Sequence, residues 1–348
     1  LGVLVAVLIG AVVYLLSEEI IIALVFGLVV LIAPLSLAGM YLRARIADSY
    51  YTLEVRPPTA PLRLGQSFDF YAVVLPKRSM ALRSGKLTLQ CQEHAISQHG
   101  SSETHYRRAI FEQVIELAPG RRYQVGEALE IRQRLTIPAT AIPSFEGENN
   151  FIEWAVILQI PAPGMCPDIH HTSPLRVLPQ IVAGADEPLG DDPMVPRNWC
   201  RGVSGGEEVS RVGPIWAGLR SSSGPTLKGL PVAPVGGTRR LRLQVSTDSD
   251  VHCRGLLACV CCRIHGSGTA EEIVLSPEQT IHVGELSAGA NAERAYDIKI
   301  PEIGPVSFAG RYVKCDWEVR IRVDVPIWRD KRLHLPFIVT PQLLSARD

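Results

Sequence analysis

The chain has 348 residues, 47% hydrophobic and 20% charged, which excludes an intrinsically disordered protein and leaves room for more than one core. Its 35 basic residues balance 35 acidic ones, so no overall field draws it to nucleic acid or to strongly charged surfaces. The eight cysteines, three bunched at Cys259, Cys261 and Cys262, lack the spaced pairs of an exported disulfide framework and suit a reducing compartment.

Two apolar runs open the chain. Leu1 to Leu16 carries no charge, Ser17-Glu18-Glu19 interrupts, and Ile20 to Leu42 is apolar again except for Ser36 and a central Pro34. At 1.5 Å per residue the second run gives roughly 34 Å against about 30 Å of bilayer hydrocarbon, while the first gives only about 24 Å. The first residue is not Met, so further residues are expected before Leu1. A cleaved signal peptide is the rival reading of the first run, but no small-residue cleavage site follows it and the acidic tripeptide suits a tight turn. We expect a transmembrane helical hairpin over 1–46, its second helix kinked at Pro34. Ala6 with Gly10, and Ala23 with Gly27, have the small-xxx-small spacing that lets helices pack closely, within the hairpin or against another membrane protein. Arg43, Arg45, Arg56 and Arg63 follow the second run while the turn carries only acids, so the positive-inside rule puts the rest of the chain on the cytoplasmic side.

Beyond the hairpin the pattern is β. Leu87–Cys91, Ala155–Ile160, Leu241–Val245 and Val319–Val325 are short runs rich in strand formers, and 26 prolines and 29 glycines supply turns and edge breakers. In Val319–Val325 the apolar side chains share one face and Arg320, Arg322 and Asp324 the other, the pattern of a half-buried antiparallel strand. The basic pairs Lys77-Arg78, Arg107-Arg108, Arg121-Arg122 and Arg239-Arg240 read as solvated loop ends, or as headgroup contacts where the fold brings them near a membrane.

The chain repeats itself. Ile137-Pro138, Ser144-Phe145-Glu146-Gly147 and Glu153-Trp154-Ala155-Val156 return in the same register as Ile300-Pro301, Ser307-Phe308-Ala309-Gly310 and Asp316-Trp317-Glu318-Val319. Each copy closes on a strand-like run ending in Pro179 or Pro341. Pro138 and Pro301 end a strand, Gly147 and Gly310 fit a turn hostile to a Cβ, and Trp154 and Trp317 fill a sheet interior, so these are fold-defining residues.

Leu135–Pro179 and Ile298–Pro341 resemble the arrestin-like β-sandwich, a broad clan that includes the arrestin-like subunit of retromer and bacterial sporulation-control proteins. The resemblance covers about two thirds of the chain and implies two tandem antiparallel sandwiches. The fold class expected is therefore mostly β, with a hairpin at 1–46, a first arrestin-like sandwich at 47–179, a Pro-, Gly- and acid-rich linker at 180–211 and a second sandwich at 212–348. The phosphate-sensing charge core of animal arrestins has no match, so receptor regulation is not implied. The linker is longer and more polar than the hinge usual in the family, and it carries Trp199, which either tucks onto its own sandwich or docks on a partner. Trp199 and Trp216, with Ala23 and Gly27 in the hairpin, are the candidate partner-binding residues.

Catalytic and metal constellations are sparse. The segment from His252 to His265 offers soft ligands, with Cys259, Cys261 and His265 as candidates, but its spacing matches no paired-ligand knuckle. On a strand Cys259 and Cys261 share one face and Cys262 points away. Cys166-Pro167-Asp168-Ile169-His170-His171 is a second such loop, read more simply as exposed. No phosphate loop, nucleophile elbow or carboxylate pair is present, so neither catalysis nor a cofactor or metal is expected. The expected function is that of an integral membrane, non-enzymatic scaffold, an accessory subunit whose partners are the bilayer and proteins of a larger membrane complex, with no nucleic acid and no small-molecule substrate. The alternative is a metal- or redox-responsive module built on the Cys259–Cys262 cluster.

Overall fold

A computed structural model describes residues 47–117, 120–164, 166–180, 210–221, 226–227, 230–326 and 329–341. Among these no helix is long and apolar enough to cross a membrane, and only residues 47–50 are helical. The hairpin expected over 1–46, with Ala23 and Gly27, lies outside the described residues, as does Trp199.

The protein is mostly β, in several sheets. Its first half contains β1 (Tyr51–Arg56), β2 (Leu62–Arg63), β3 (Ser67–Pro76), β4 (Met80–Ala81), β5 (Lys86–His99), β6 (Ser102–Glu116), β7 (Arg122–Tyr123), β8 (Leu129–Thr136), β9 (Phe145–Glu146), β10 (Asn150–Ile160), β11 (Ile169–Leu175) and β12 (Val177–Leu178). The second half contains β13 (Ser210–Val212), β14 (Ile215–Ser221), β15 (Thr226–Leu227), β16 (Leu230–Pro234), β17 (Thr238–Thr247), β18 (Gly255–Gly266), β19 (Glu271–Val274), β20 (Gln279–Val283), β21 (Asn291–Lys299), β22 (Phe308–Ala309), β23 (Val313–Asp324) and β24 (Lys331–Thr340). The first strand of the second half therefore begins at Ser210, inside the segment read as linker. Its pairing with Ile215–Ala217 supplies the tertiary contact that the polar sequence around it does not advertise.

Corresponding ladders recur. One sheet runs β1-β3-β8 in the first half and β13-β14-β17-β21 in the second. The other runs β11-β10-β5-β6, matched by β24-β23-β18-β19. Cys91 lies opposite Trp154 as Cys262 lies opposite Trp317, which fixes the correspondence residue by residue. Each half also carries a short parallel pair, Leu62 beside Val177 and Ala233 beside Val339. A glycine at positive φ follows it both times, Gly65 at 79° and Gly236 at 76°, letting the chain turn sharply from the parallel pair into β3 or β17.

Alternation places Leu87, Leu89, Cys91, Phe70, Val74 and Trp154 inside the first half, and Leu243, Val260, Cys262, Trp317, Val319 and Ile321 inside the second. The polar face of Val319–Val325 is not solvated along its length as its pattern suggested. Arg320 is only 8% exposed. Its guanidinium forks onto Glu272 with two 2.6 Å bonds and reaches Glu318 at 2.9 Å, while His334 Nδ1 sits 2.9 Å from the same Glu318. Glu318 from the same strand and Glu272 from β19, two strands away across the sheet, satisfy the buried cation, and the Arg320 hydrogen bonds hold the Glu272 carboxyl below its usual range.

Candidate functional site

The repeated Ser-Phe-x-Gly segment is a turn clamped at both ends. The Ser144 hydroxyl accepts the Val177 N–H (2.9 Å) while the Ser144 N–H donates to the Val177 carbonyl (2.7 Å). Ser307 does the same with Val339, at 2.8 and 2.9 Å. The Gly147 N–H then closes onto the Asn150 carbonyl (3.0 Å) and the Gly310 N–H onto the Val313 carbonyl (2.9 Å). Each turn thereby aims successive backbone N–H groups outward, a nest that suits a carboxylate.

Each nest is filled from the opposite half. Glu93, at 0% exposure on β5, accepts the N–H groups of Arg311 (3.1 Å), Tyr312 (2.9 Å) and Val313 (3.0 Å). Glu271 on β19 accepts the N–H groups of Glu148 (2.8 Å) and Asn149 (2.6 Å) and the Asn150 side-chain amide (2.7 Å). The clasp is reciprocal but not strictly symmetric: the register makes Ile264 the counterpart of Glu93, and Glu271 pairs with Ile264 from the neighbouring strand. The Thr269 N–H donates to the Ile96 carbonyl (3.0 Å), Asn150 Nδ2 reaches the Thr269 carbonyl (2.8 Å), and the Tyr106 and Tyr312 rings meet at 5.6 Å. Gly147 and Gly310 are indispensable here through proximity: a Cβ on Gly310 would strike the Glu93 carboxylate and the Phe308 ring, and one on Gly147 the Glu271 carboxylate and the Asn150 carbonyl.

A second paired device flanks the clasp. His94 and His265 occupy corresponding positions, and each faces the acid that precedes the repeat Trp. His265 Nε2 is 2.6 Å from Asp316. His94, 5% exposed, has Nδ1 3.6 Å from Glu153 and Nε2 3.0 Å from His105, with Phe151 stacked on the ring. Burial, followed by the charge of Arg107, lowers the pKa of His94 and favours its neutral form.

Between the halves lies a cleft of about 970 Å³, walled by Phe145, Phe151 and Arg176 from the first and by Ile273, Ile303 and Pro305 from the second. Gln92 and Glu153 reach it as well, so the His94 cluster abuts this space.

Of the residues singled out from the sequence, the fold-defining set falls on the clasp and the cores. Trp154 and Trp317 are buried, and Trp154 Nε1 donates to the Ile142 carbonyl (2.8 Å), whereas Trp317 Nε1 has no partner among the described residues. Ile137 and Ile300, before Pro138 and Pro301, are buried where the strand leaves the sheet. Trp216 is engaged at home: its Nε1 donates to Asp248 (2.8 Å) and the Arg211 guanidinium lies 4.2 Å from its ring centre. Cys259 and Cys261 do share a face, with sulfurs 3.6 Å apart, while Cys262 turns the other way to within 3.1 Å of Cys315. His265 is taken by Asp316 and does not join them. Among the described residues no three His, Cys, Asp or Glu side chains converge as a metal site. Burial, with Cys259 as neighbour, pushes the Cys261 thiol up to about 12, and burial beside Cys262 raises Cys315 well above the ordinary thiol value, so both stay protonated and poorly nucleophilic.

Sequence reasoning missed the clasp carboxylates. One signal was present for Glu93, a lone acid in the core-facing series Leu87, Leu89, Cys91, Glu93, Ala95. Glu271 stands on a strand with no such contrast. Comparison with protein-family models and comparison with curated proteins each return no match.

Proposed function

We propose that this protein is a membrane-anchored, non-enzymatic scaffold, an accessory subunit that holds a larger membrane complex together through two tandem arrestin-like β-sandwiches on the cytoplasmic side. The observation that carries this reading is the reciprocal clasp. Each of its two carboxylates accepts three N–H hydrogen bonds from the opposite half, so these side chains are engaged in holding the two halves together. Clasping in this way keeps an apolar cleft open between the halves, a surface suited to gripping a protein segment. The apolar runs at 1–16 and 20–42 supply the anchor. Extraction in mild detergent followed by native mass measurement and peptide identification tests the proposal: a stoichiometric membrane partner is expected, and recovery of the chain alone from several detergents would overturn it.

The metal- or redox-responsive alternative rests on one observation, the 3.1 Å approach of the Cys262 and Cys315 sulfurs. Metal bound to the purified chain, or a partner released on oxidation of wild type and retained by Cys262→Ser, would favour it over the scaffold.

A further inference from the structure

At the end of β5 and β10 away from the clasp, three loops are knit together, and the one that follows β3 also packs on the helical turn at 47–50. The Lys77 and Arg78 N–H groups donate to the Tyr50 carbonyl (2.7 and 3.4 Å), Lys77 Nζ reaches the Asp48 carbonyl (2.7 Å), and the Arg78 guanidinium lies 5.4 Å from the Tyr50 ring centre. The loop before β8 joins through the Gly126 N–H on the Pro76 carbonyl (2.9 Å) and the pairing of Ala81 with Arg122. The loop after β10 joins through the Arg83 N–H on the Pro161 carbonyl (2.8 Å). These ties bring the segments that carry Lys77, Arg78, Arg83 and Arg122 together, and all four residues are exposed.

These four cations have no carboxylate within ion-pair distance among the described residues, whereas the neighbouring Arg121 is held by Glu127 at 2.9 Å. Arg83 and Arg122 extend into solvent without a side-chain hydrogen bond, and the contacts of Lys77 and Arg78 are to a carbonyl and a ring, so all four keep their charge unneutralised. The rim is also tethered. Only residues 43–46 separate the apolar run ending at Leu42 from the turn at 47–50, a distance of at most about 18 Å even when fully extended. A run of this length seated in a bilayer therefore delivers the rim to the headgroup layer, where clustered Lys and Arg attract anionic lipid.

We propose that Lys77, Arg78, Arg83 and Arg122 form a cationic rim that binds anionic lipid headgroups in the leaflet next to the end of the apolar run. This rests on the membrane-anchored reading. It adds a lipid preference, and it sets the posture of the molecule: the rim lies flat on the membrane and the clasp and cleft project away from it, toward a partner's soluble portion.

The test uses the full chain and its Lys77→Gln/Arg78→Gln/Arg83→Gln/Arg122→Gln variant, each reconstituted into phosphatidylcholine vesicles with and without phosphatidylserine. Hydrogen exchange is followed in the segments 77–86 and 120–126. Each cation near an anionic surface is worth about a fivefold change in residence, so four together are worth several hundred-fold at low salt. Phosphatidylserine is expected to slow exchange in both segments of the wild type, with the effect lost in the variant and at high salt. No phosphatidylserine-dependent slowing, or equal slowing in the variant, would overturn the rim, as would slowing produced only by a co-purified acidic protein. An alkaline wash of the phosphatidylcholine vesicles reads the anchor separately. A chain that stays has its anchor whatever the exchange shows; a chain that washes out loses the anchored reading, and the same exchange comparison on phosphatidylserine-bound chain still decides the rim.

Discussion

Replacing Glu93 by Ala removes the acceptor for three backbone N–H groups of the opposite half and leaves them facing a cavity. A hydrogen bond to a charged acceptor contributes about 1.5–3 kcal/mol, so three give roughly 5–9 kcal/mol before relaxation. Water entering the gap and adjustment of the turn reduce this, and a loss of about 3–5 kcal/mol is expected, in line with breaking other buried ionic contacts. Because whole domains are stable by only about 5–15 kcal/mol, that loss is enough to uncouple the halves. It falls on their association more than on either core, since no strand pairing crosses between them among the described residues. The assay is denaturant unfolding of the full chain in detergent, combined with hydrogen exchange at Arg311, Tyr312 and Val313. Wild type should lose both halves in one transition; Glu93→Ala should show two, with the three amides exchanging freely well before either core opens. Glu93→Gln keeps one oxygen acceptor and should fall between them. A Glu93→Ala chain destabilised by less than about 1 kcal/mol, with the three amides still protected, would refute the clasp as the joint between the halves.

Gly310→Ala places a methyl against the Glu93 carboxylate and the Phe308 ring and should cost about 1–3 kcal/mol, again by splitting the unfolding transition; an unshifted single transition would contradict the close approach. The two repeat tryptophans should differ although their burial is equal: Trp154→Phe strands the Ile142 carbonyl and should cost about 1–3 kcal/mol more than Trp317→Phe, which removes a donor that has no partner. Equal losses in thermal denaturation would count against that asymmetry. The lowered pKa of His94 means that the unfolded chain takes up its proton first as pH falls. Its contribution to stability is therefore complete above the ordinary imidazole value of 6.5 and is lost progressively below it. His94→Gln should flatten the stability profile below that pH, and a profile unchanged by the substitution would remove His94 from the account.

The architecture could be read from the sequence wherever a local pattern and a tertiary demand coincide. Trp154 and Trp317, each followed by alternating apolar residues, mark central strands because an aromatic of that size has to go inside. The Ser-Phe-x-Gly spacing identified the turn, and the structure supplies the reason for its Ser: the hydroxyl stands in for a missing ladder acceptor on the closing strand. What could not be read depends on which residues from distant segments meet. Nothing near Glu271 announces that its partners lie more than a hundred residues earlier, and Arg320 looks solvent-facing until Glu272 and Glu318 close over it. Nor did the sequence show that Trp216 is held by Arg211 and Asp248 from its own half. Of the four cations at the far end, Lys77, Arg78 and Arg122 stood in basic pairs and Arg83 stood alone, because their segments are brought together by loops whose sequence carries no period.

The most direct test of the scaffold account is native mass measurement of complexes extracted in mild detergent, run side by side for wild type and for Glu93→Ala/Glu271→Ala. The account predicts that wild type leaves the membrane with a stoichiometric protein partner and that the doubly substituted chain, with its halves unclasped, leaves without it. Wild type recovered alone in every detergent, or a partner retained equally by both chains, would contradict it.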